Sequence, residues 1–290
     1  MKLSITHRTV YEYAEPVTNA QHLAHLTPRD ELGQRCLSHA VEISPIPISP
    51  RERLDYFGNR TLYVAFNEPH RRLSFNARSL VDTYLRPDVQ LDASPSWKGV
   101  AAMLKGAPRR DLLDACQFGF ESPHVKLDPD VTEYAAQSFR NDRAILSAVA
   151  DLVARVHSDF KYDPDATDVS TPVSGVFLKR RGVCQDFAHL CIAGLRGLGL
   201  PARYVSGYLL TRPPPGRIRL EGADASHAWF SVFVPDVGWF DFDPTNNMLA
   251  SDEHVVVAWG RDFSDVTPIR GVILGGGRHT VTVSVDVVPA

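Results

Sequence analysis

From Leu3 to Tyr13 apolar side chains recur at alternate positions, with Leu3, Ile5, Tyr11 and Tyr13 on one face, which is the period of a half-buried strand. Shorter strands are predicted at 38–44, 52–57 and 60–66, and the alternation returns over 72–85, where Leu73, Phe75, Ala77, Val81 and Leu85 face one way. Gly58-Asn59, between the strands at 52–57 and 60–66, is a two-residue hairpin signal, because both residue types tolerate positive φ. Short strands punctuated by Pro and Gly, with almost no helical period, predict an all-β, sandwich-like unit over residues 1–87.

The period then changes. Residues 88–128 mix proline, basic residues and apolar patches around Met103 and Leu112, and read as a linker with short helices. Asp128-Pro129 is an N-cap followed by proline in the first helical position, opening a helix over 129–139. Ile145, Leu146, Val149, Leu152, Val153 and Val156 trace the apolar stripe of a second helix, with Asn141 or Asp142 placed to cap it. A turn-rich segment at 163–172 and a short helix over 172–180 lead into a third long helix. There Phe187, Leu190, Cys191, Gly194, Leu195 and Leu198 give one buried face and a start near Cys184. Strands follow at 202–210, 227–234, 239–243, 254–259 and 279–288, the last with Val281, Val283, Val285 and Val287 on one face. The proline- and charge-rich loop 211–225 reads as a solvated connection. Helices first and antiparallel strands after predict an α+β core over residues 129–290.

Composition narrows the function classes. A chain of 290 residues can build two ordinary cores. A net charge of −3 and a pI near 6.4 argue against nucleic acid or an anionic membrane as partner. No apolar run of about eighteen residues occurs and the amino-terminal segment alternates, so the expectation is a cytoplasmic protein without an export signal. Cys36, Cys116, Cys184 and Cys191 form no Cys-x-x-Cys pair and are too few for a disulfide scaffold. The histidines show no His-x-x-x-His spacing, so neither a metal nor an organic cofactor is expected.

Candidate chemistry concentrates at the third long helix. A thiol in a helix's first turn lies near unpaired N–H groups and the positive end of the macrodipole, both of which stabilise an anionic sulfur. Gly182 just upstream allows the tight turn that holds Cys184 at a cleft floor, whereas Cys191 on the apolar stripe reads as core filler. His227 opens one strand and Asp243 ends the next. If the loop between them is odd in length, opposed residues sum to 472, Trp229 faces Asp243, and His227 lies two places away on the same face, where the two side chains can meet. A one-residue slip would put them on opposite faces. Cys184, His227 and Asp243 would then supply a nucleophile, a general base and an orienting acid for acyl transfer. The Cys184 N–H is the first oxyanion donor, and Gln185 and Tyr162 are candidates for the second. Asp241 shares the parity of Asp243 and rivals it as the orienting acid, while Asp186 reads as a carboxylate offsetting the helix dipole. A metal site from His189, His227 and Asp243 is the weakest reading, since His189 falls about 140° around the helix from Cys184.

Four runs carry a resemblance: Gly182-Val-Cys-Gln-Asp-Phe-Ala-His, Gly199-Leu-Pro-Ala-Arg-Tyr-Val-Ser-Gly-Tyr, Ser226-His-Ala-Trp and Gly238-Trp-Phe-Asp-Phe-Asp-Pro-Thr-Asn. In order and spacing this set resembles the bacterial transglutaminase-like superfamily over about residues 145–260. Thr6-His-Arg-Thr-Val-Tyr-Glu-Tyr and Asp55-Tyr-Phe-Gly-Asn are similar to the β-rich N-terminal domain often joined to that core. The resemblance implies a papain-like α+β core with Cys184 as nucleophile, His227 as base and Asp243 as orienting acid. It further implies a protein or peptide substrate, and either cross-linking acyl transfer, peptidase or amidase activity, or a binding protein that retains only the fold. Oligomeric state and acyl acceptor are left open.

Overall fold

The computed structural model describes residues 1–84, 89–106, 109–211 and 226–290. Five strands come first: β1 Lys2–Ala24, β2 Gln34–Ser44, β3 Ile48–Leu54, β4 Arg60–Phe66 and β5 His70–Thr83. Helices α1 Trp97–Gly106 and α2 Arg110–Cys116 fall in the linker stretch, followed by α3 Pro129–Ala136 and α4 Ile145–Asp159. Next come the two-residue strand β6 Lys161–Tyr162, α5 Val173–Lys179, the two-residue strand β7 Arg181–Gly182, and α6 Cys184–Gly197. The chain continues through β8 Ala202–Leu209, β9 Ser226–Val234, β10 Gly238–Asp243, β11 Met248–Leu249, β12 His254–Gly260, α7 Phe263–Val266, β13 Ile269–Gly275 and β14 His279–Pro289. Leu85, the unit boundary at Pro87, and loop 211–225 apart from Thr211 lie outside the described residues. Among the described residues no helix is long and apolar enough to cross a membrane.

β1 is twice as long as the alternation suggested, and it organises the first sheet. Its first half pairs with β5 on one side and β14 on the other, and its second half with β4 and β13. Register shifts near Pro16 and Val17 mark where it exchanges one pair of partners for the other within a single curled sheet. A proline lacking an N–H suits such a bend, and the same proline hides the strand's continuation from a search for alternation. Tyr13, Ala20, Val64, Phe66, Leu73 and Phe75 pack into one buried cluster, the apolar filling of the sandwich-like first unit. One placement needs correcting. Residues 269–289, read with the core, form β13 and β14 on the first sheet, because both edges of β1 require partners.

Two smaller expectations change for local reasons. The β3–β4 connection is a five-residue loop, 55–59, rather than a two-residue turn. The Asp55 carboxylate accepts from Phe57 N and Asn59 N at 2.9 and 2.8 Å, and Gly58 alone takes a positive φ, +74°. Helix α4 is preceded by Ala144, not capped by Asn141 or Asp142; Ser94 from the linker accepts the Leu146 N–H at 3.0 Å instead. The Asp128 cap of α3 forms as expected, accepting from Asp130 N and Val131 N.

The core sheet runs β11-β10-β9-β8-β12, all antiparallel. Helix α6 is buried on every side from Asp186 to Arg196, not along one face, because it lies between α3, α4 and α5 on one side and β8 and β9 on the other. Near its end the buried Arg196 guanidinium donates to the carbonyls of Phe118, Phe120, Ala202 and Arg261 and to Ser122 Oγ, pinning the linker to the core. The free edge of β12 is closed by the first unit. Gln34 meets both N–H and C=O of Val256 (2.7 and 2.8 Å), and Asn59 does the same for Trp259 (3.0 and 2.8 Å), so two side-chain amides stand in for a missing strand.

Candidate active site

Cys184 opens α6 because Val183 before it is extended and Asp186, two residues after it, folds its carboxylate back to accept the Val183 N–H at 2.8 Å. The same oxygen accepts from Thr167 Oγ1 at 2.7 Å, while burial pushes the Asp186 carboxyl up. This carboxylate explains Gly182. A Cβ there would stand 2.5 Å from Asp186 Oδ2, so glycine serves a close approach rather than a tight turn. The first intrahelical bond runs from Phe187 N to Val183 O at 3.1 Å, and the Cys184 and Gln185 amides lie ahead of it, at the electropositive end. β6 brings Tyr162 beside Gly182, where burial and then the Cys184 charge push its half-exposed hydroxyl up. Of the two candidate second donors, Tyr162 is therefore electrostatically coupled to the sulfur.

Strands β9 and β10 carry the other two groups. Their register, Gly238↔Val234 through Phe242↔Phe230, sums to 472, the odd-loop arrangement. His227 Nε2 accordingly lies 2.7 Å from Asp243 Oδ2, and the Cys184 side chain is near enough to the same imidazole to help raise it. With Nε2 committed to the carboxylate, Nδ1 is the ring nitrogen left for the sulfur. Burial alone pushes His227 down, but the hydrogen bonds and charges of Asp243 and Cys184 outweigh it and raise it to about 10. Burial likewise pushes Asp243 up, yet the hydrogen bonds of His227 and His254 and the charge of His227 carry it well below the usual carboxylate range. Together these groups can hold an imidazolium between a carboxylate and a sulfur.

The remaining candidates separate cleanly. Asp241 accepts from Ser231 Oγ, and Ser231 in turn accepts from Arg203 Nε at 3.2 Å, so the rival acid belongs to another network. Cys191 is fully buried and burial pushes its thiol up. His189 stacks on His124 at 5.6 Å and accepts from Phe263 N, apart from His227 and Asp243.

Sequence reasoning missed two residues. Asn246 donates from Nδ2 to Asp243 Oδ2 at 2.7 Å, and Thr245 N and Asn246 N donate to Oδ1. His254 Nε2 lies 3.2 Å from Asp243 Oδ2. The Asp-Pro-Thr-Asn turn was a usable signal for Asn246, because such turns fold backbone N–H groups onto the aspartate. For His254 no such signal exists. His227, Asp243 and His254 offer three potential metal-ligand atoms within 4.8 Å of one another. However, Ser251 N donates to His254 Nδ1 at 3.1 Å, and a backbone amide needs a lone pair there. The His254 proton is therefore on Nε2, aimed at Asp243, where a metal would need a lone pair.

Residues 3–82 match the family described as bacterial transglutaminase-like N-terminal region, and residues 132–244 match the transglutaminase-like superfamily. An uncharacterized protein of Mycobacterium tuberculosis is 42% identical over 98% of this chain and 92% of its own length. One of Mycobacterium leprae is 31% identical over 99% and 98%. A protein-glutamine gamma-glutamyltransferase of Pseudomonas aeruginosa is 33% identical, but over 32% of this chain and 15% of its own length. Among solved structures, one from Cytophaga hutchinsonii, described provisionally as a cysteine protease, superposes with TM-score 0.76 at 24% identity, covering 99% of this chain and 90% of its own.

Proposed function

We propose, from the premise that this chain belongs to the transglutaminase-like superfamily, that it is a cysteine-dependent enzyme acting on an amide or peptide bond through a thioester. One observation carries the reading: a single imidazole is held by Asp243 Oδ2 at 2.7 Å while the Cys184 side chain also acts to keep that ring protonated.

The Cys184 sulfur attacks the substrate carbonyl carbon, forming the C–S bond as the C=O electron pair moves onto oxygen. The Cys184 N–H at the start of α6 stabilises that oxyanion, with the Tyr162 hydroxyl as the second donor. When the intermediate collapses, the C–N bond breaks and the His227 imidazolium gives its proton to the leaving amine. In the second half an amine or water attacks the thioester, His227 takes its proton, and the sulfur departs. Asp243 holds the ring in the required tautomer throughout. The expected substrate is a protein or peptide.

The test is mass spectrometry of adducts on Cys184 after incubation with a bacterial lysate, with Cys184→Ala as control. An acyl adduct on wild-type protein, discharged by added amine or by water, supports the reading and identifies the acceptor. Selective iodoacetamide labelling of Cys184 at mildly acidic pH is the second expectation; equal labelling of Cys36 or Cys116 would overturn it.

A further inference from the structure

The geometry points to His254 as a positioning residue for the proposed acyl-transfer site: it donates a fixed Nε2–H to Asp243, keeping that carboxylate ionised and aimed at His227. This rests on the catalytic reading above and extends it to a residue two strands away that touches neither substrate nor sulfur.

The first support is the donor count at Asp243. Oδ2 receives His227 Nε2, Asn246 Nδ2 and His254 Nε2, and Oδ1 receives two backbone amides. A carboxylate so surrounded has no rotational freedom, and its negative charge is strongly favoured. His254 is one of three donors on the oxygen that holds the base, and its side chain is 1% exposed.

The second is the origin of the donor's fixed direction. Ser251 accepts the His254 N–H on its carbonyl at 3.1 Å while its own N–H donates to His254 Nδ1, so one turn determines both the backbone and the tautomer. The indole of Trp229 walls the ring at 5.2 Å, edge to face, and lies beside His227 at 6.0 Å. The charged or titratable groups facing His254 are Asp243 and His227, with Asp241, Glu31 and Tyr84 around the small cavity next to it.

The third is that β12 is anchored from outside the core. Gln34 grips Val256, two residues past His254, and Thr83 Oγ1 donates to the carbonyl of Asp252, two residues before it, at 2.6 Å. On this reading the sandwich has a catalytic consequence: it holds the strand that aims His254.

The experiment compares His254→Gln with His254→Asn. The amide nitrogen of Gln can reach the Nε2 position and keep the donor; that of Asn reaches only the Nδ1 position and loses it. Both are polar and close in volume, so fold disruption does not separate them. The readout is the rate of Cys184 alkylation by iodoacetamide across pH, resolved by mass spectrometry with Cys36 and Cys116 as internal references. When Asp243 loses a donor it takes up a proton at higher pH, and the imidazolium beside the sulfur loses its partner there. For Asn the acidic limb should rise by about one pH unit, with labelling ~5-fold slower at the wild-type midpoint and approaching ~10-fold slower below it, while Gln stays near wild type. Equal limbs for all three proteins, or equal shifts for both variants, would overturn the positioning role. Wild-type Cys184 that labels no faster than Cys36 and Cys116 would instead overturn the catalytic reading itself.

Discussion

His22 in the sandwich and His227 beside α6 occupy two regions that bury an imidazole to a similar degree and treat it in opposite ways. His22, 4% exposed, packs against Tyr11, Phe66 and Phe75, and neither ring nitrogen has a hydrogen-bond partner among the described residues. Burial, with a smaller push from the charge of His70, drives it down to about 4. His227, its side chain 11% exposed, meets the same adverse desolvation, yet rises to about 10 because Asp243 and Cys184 favour the charged ring. The lesson is that burial only raises the stakes. A carboxylate within hydrogen-bond reach decides the sign.

The largest expected effect comes from removing that carboxylate. Asp243→Asn should lower turnover by about 10⁴-fold, the scale seen when the orienting acid of a serine triad is made an amide. Cys184 alkylation should fall with it, and retention of wild-type labelling would count against Asp243 as the orienting acid. Next is the pH dependence of stability, which should run in opposite directions in the two regions. His22 and His7 fold with values near 4, below the ordinary 6.5, so the unfolded chain binds more protons between those limits. Acidification from pH 7 to 5 should therefore reduce stability by on the order of 1–2 kcal/mol for each. The contribution of His227 is fully present below 6.5 and is lost as pH rises through about 10. Urea titrations from pH 5 to 10 would register both slopes. The smallest effect is His22→Leu, which removes two unpartnered nitrogens from an apolar site. It should stabilise the chain by about 1 kcal/mol and flatten the acid slope, readable as a shift in the urea midpoint.

What could be read from the sequence follows the range of the interactions. The β9–β10 register was legible because one loop separates the strands and its parity alone puts His227 and Asp243 on one face. The α3 cap was legible because Asp128 acts on its own neighbours. Everything requiring a distant partner was hidden. β13 and β14 pair with residues more than two hundred positions earlier, and Ser94 caps α4 from the linker. A histidine at a strand's start looks the same whether it faces solvent or, like His254, a buried carboxylate. The Asp55–Asn59 run resembled a family signature, but its physical purpose, presenting Asn59 to Trp259, appears only when the two units meet.

The pairing of residue 3 with residue 289 has a consequence for biogenesis. As the polypeptide emerges, β1 can zip to β4 and β5 at once, but its opposite edge must stay bare until β13 and β14 have been translated. At about 5–20 residues per second that interval is roughly 10–45 s. During it a long strand displays unpaired amides and carbonyls to every other nascent chain nearby, the condition that favours intermolecular zippering. Yield in the cell should therefore respond to translation speed and chaperone supply more than the finished protein's stability would suggest.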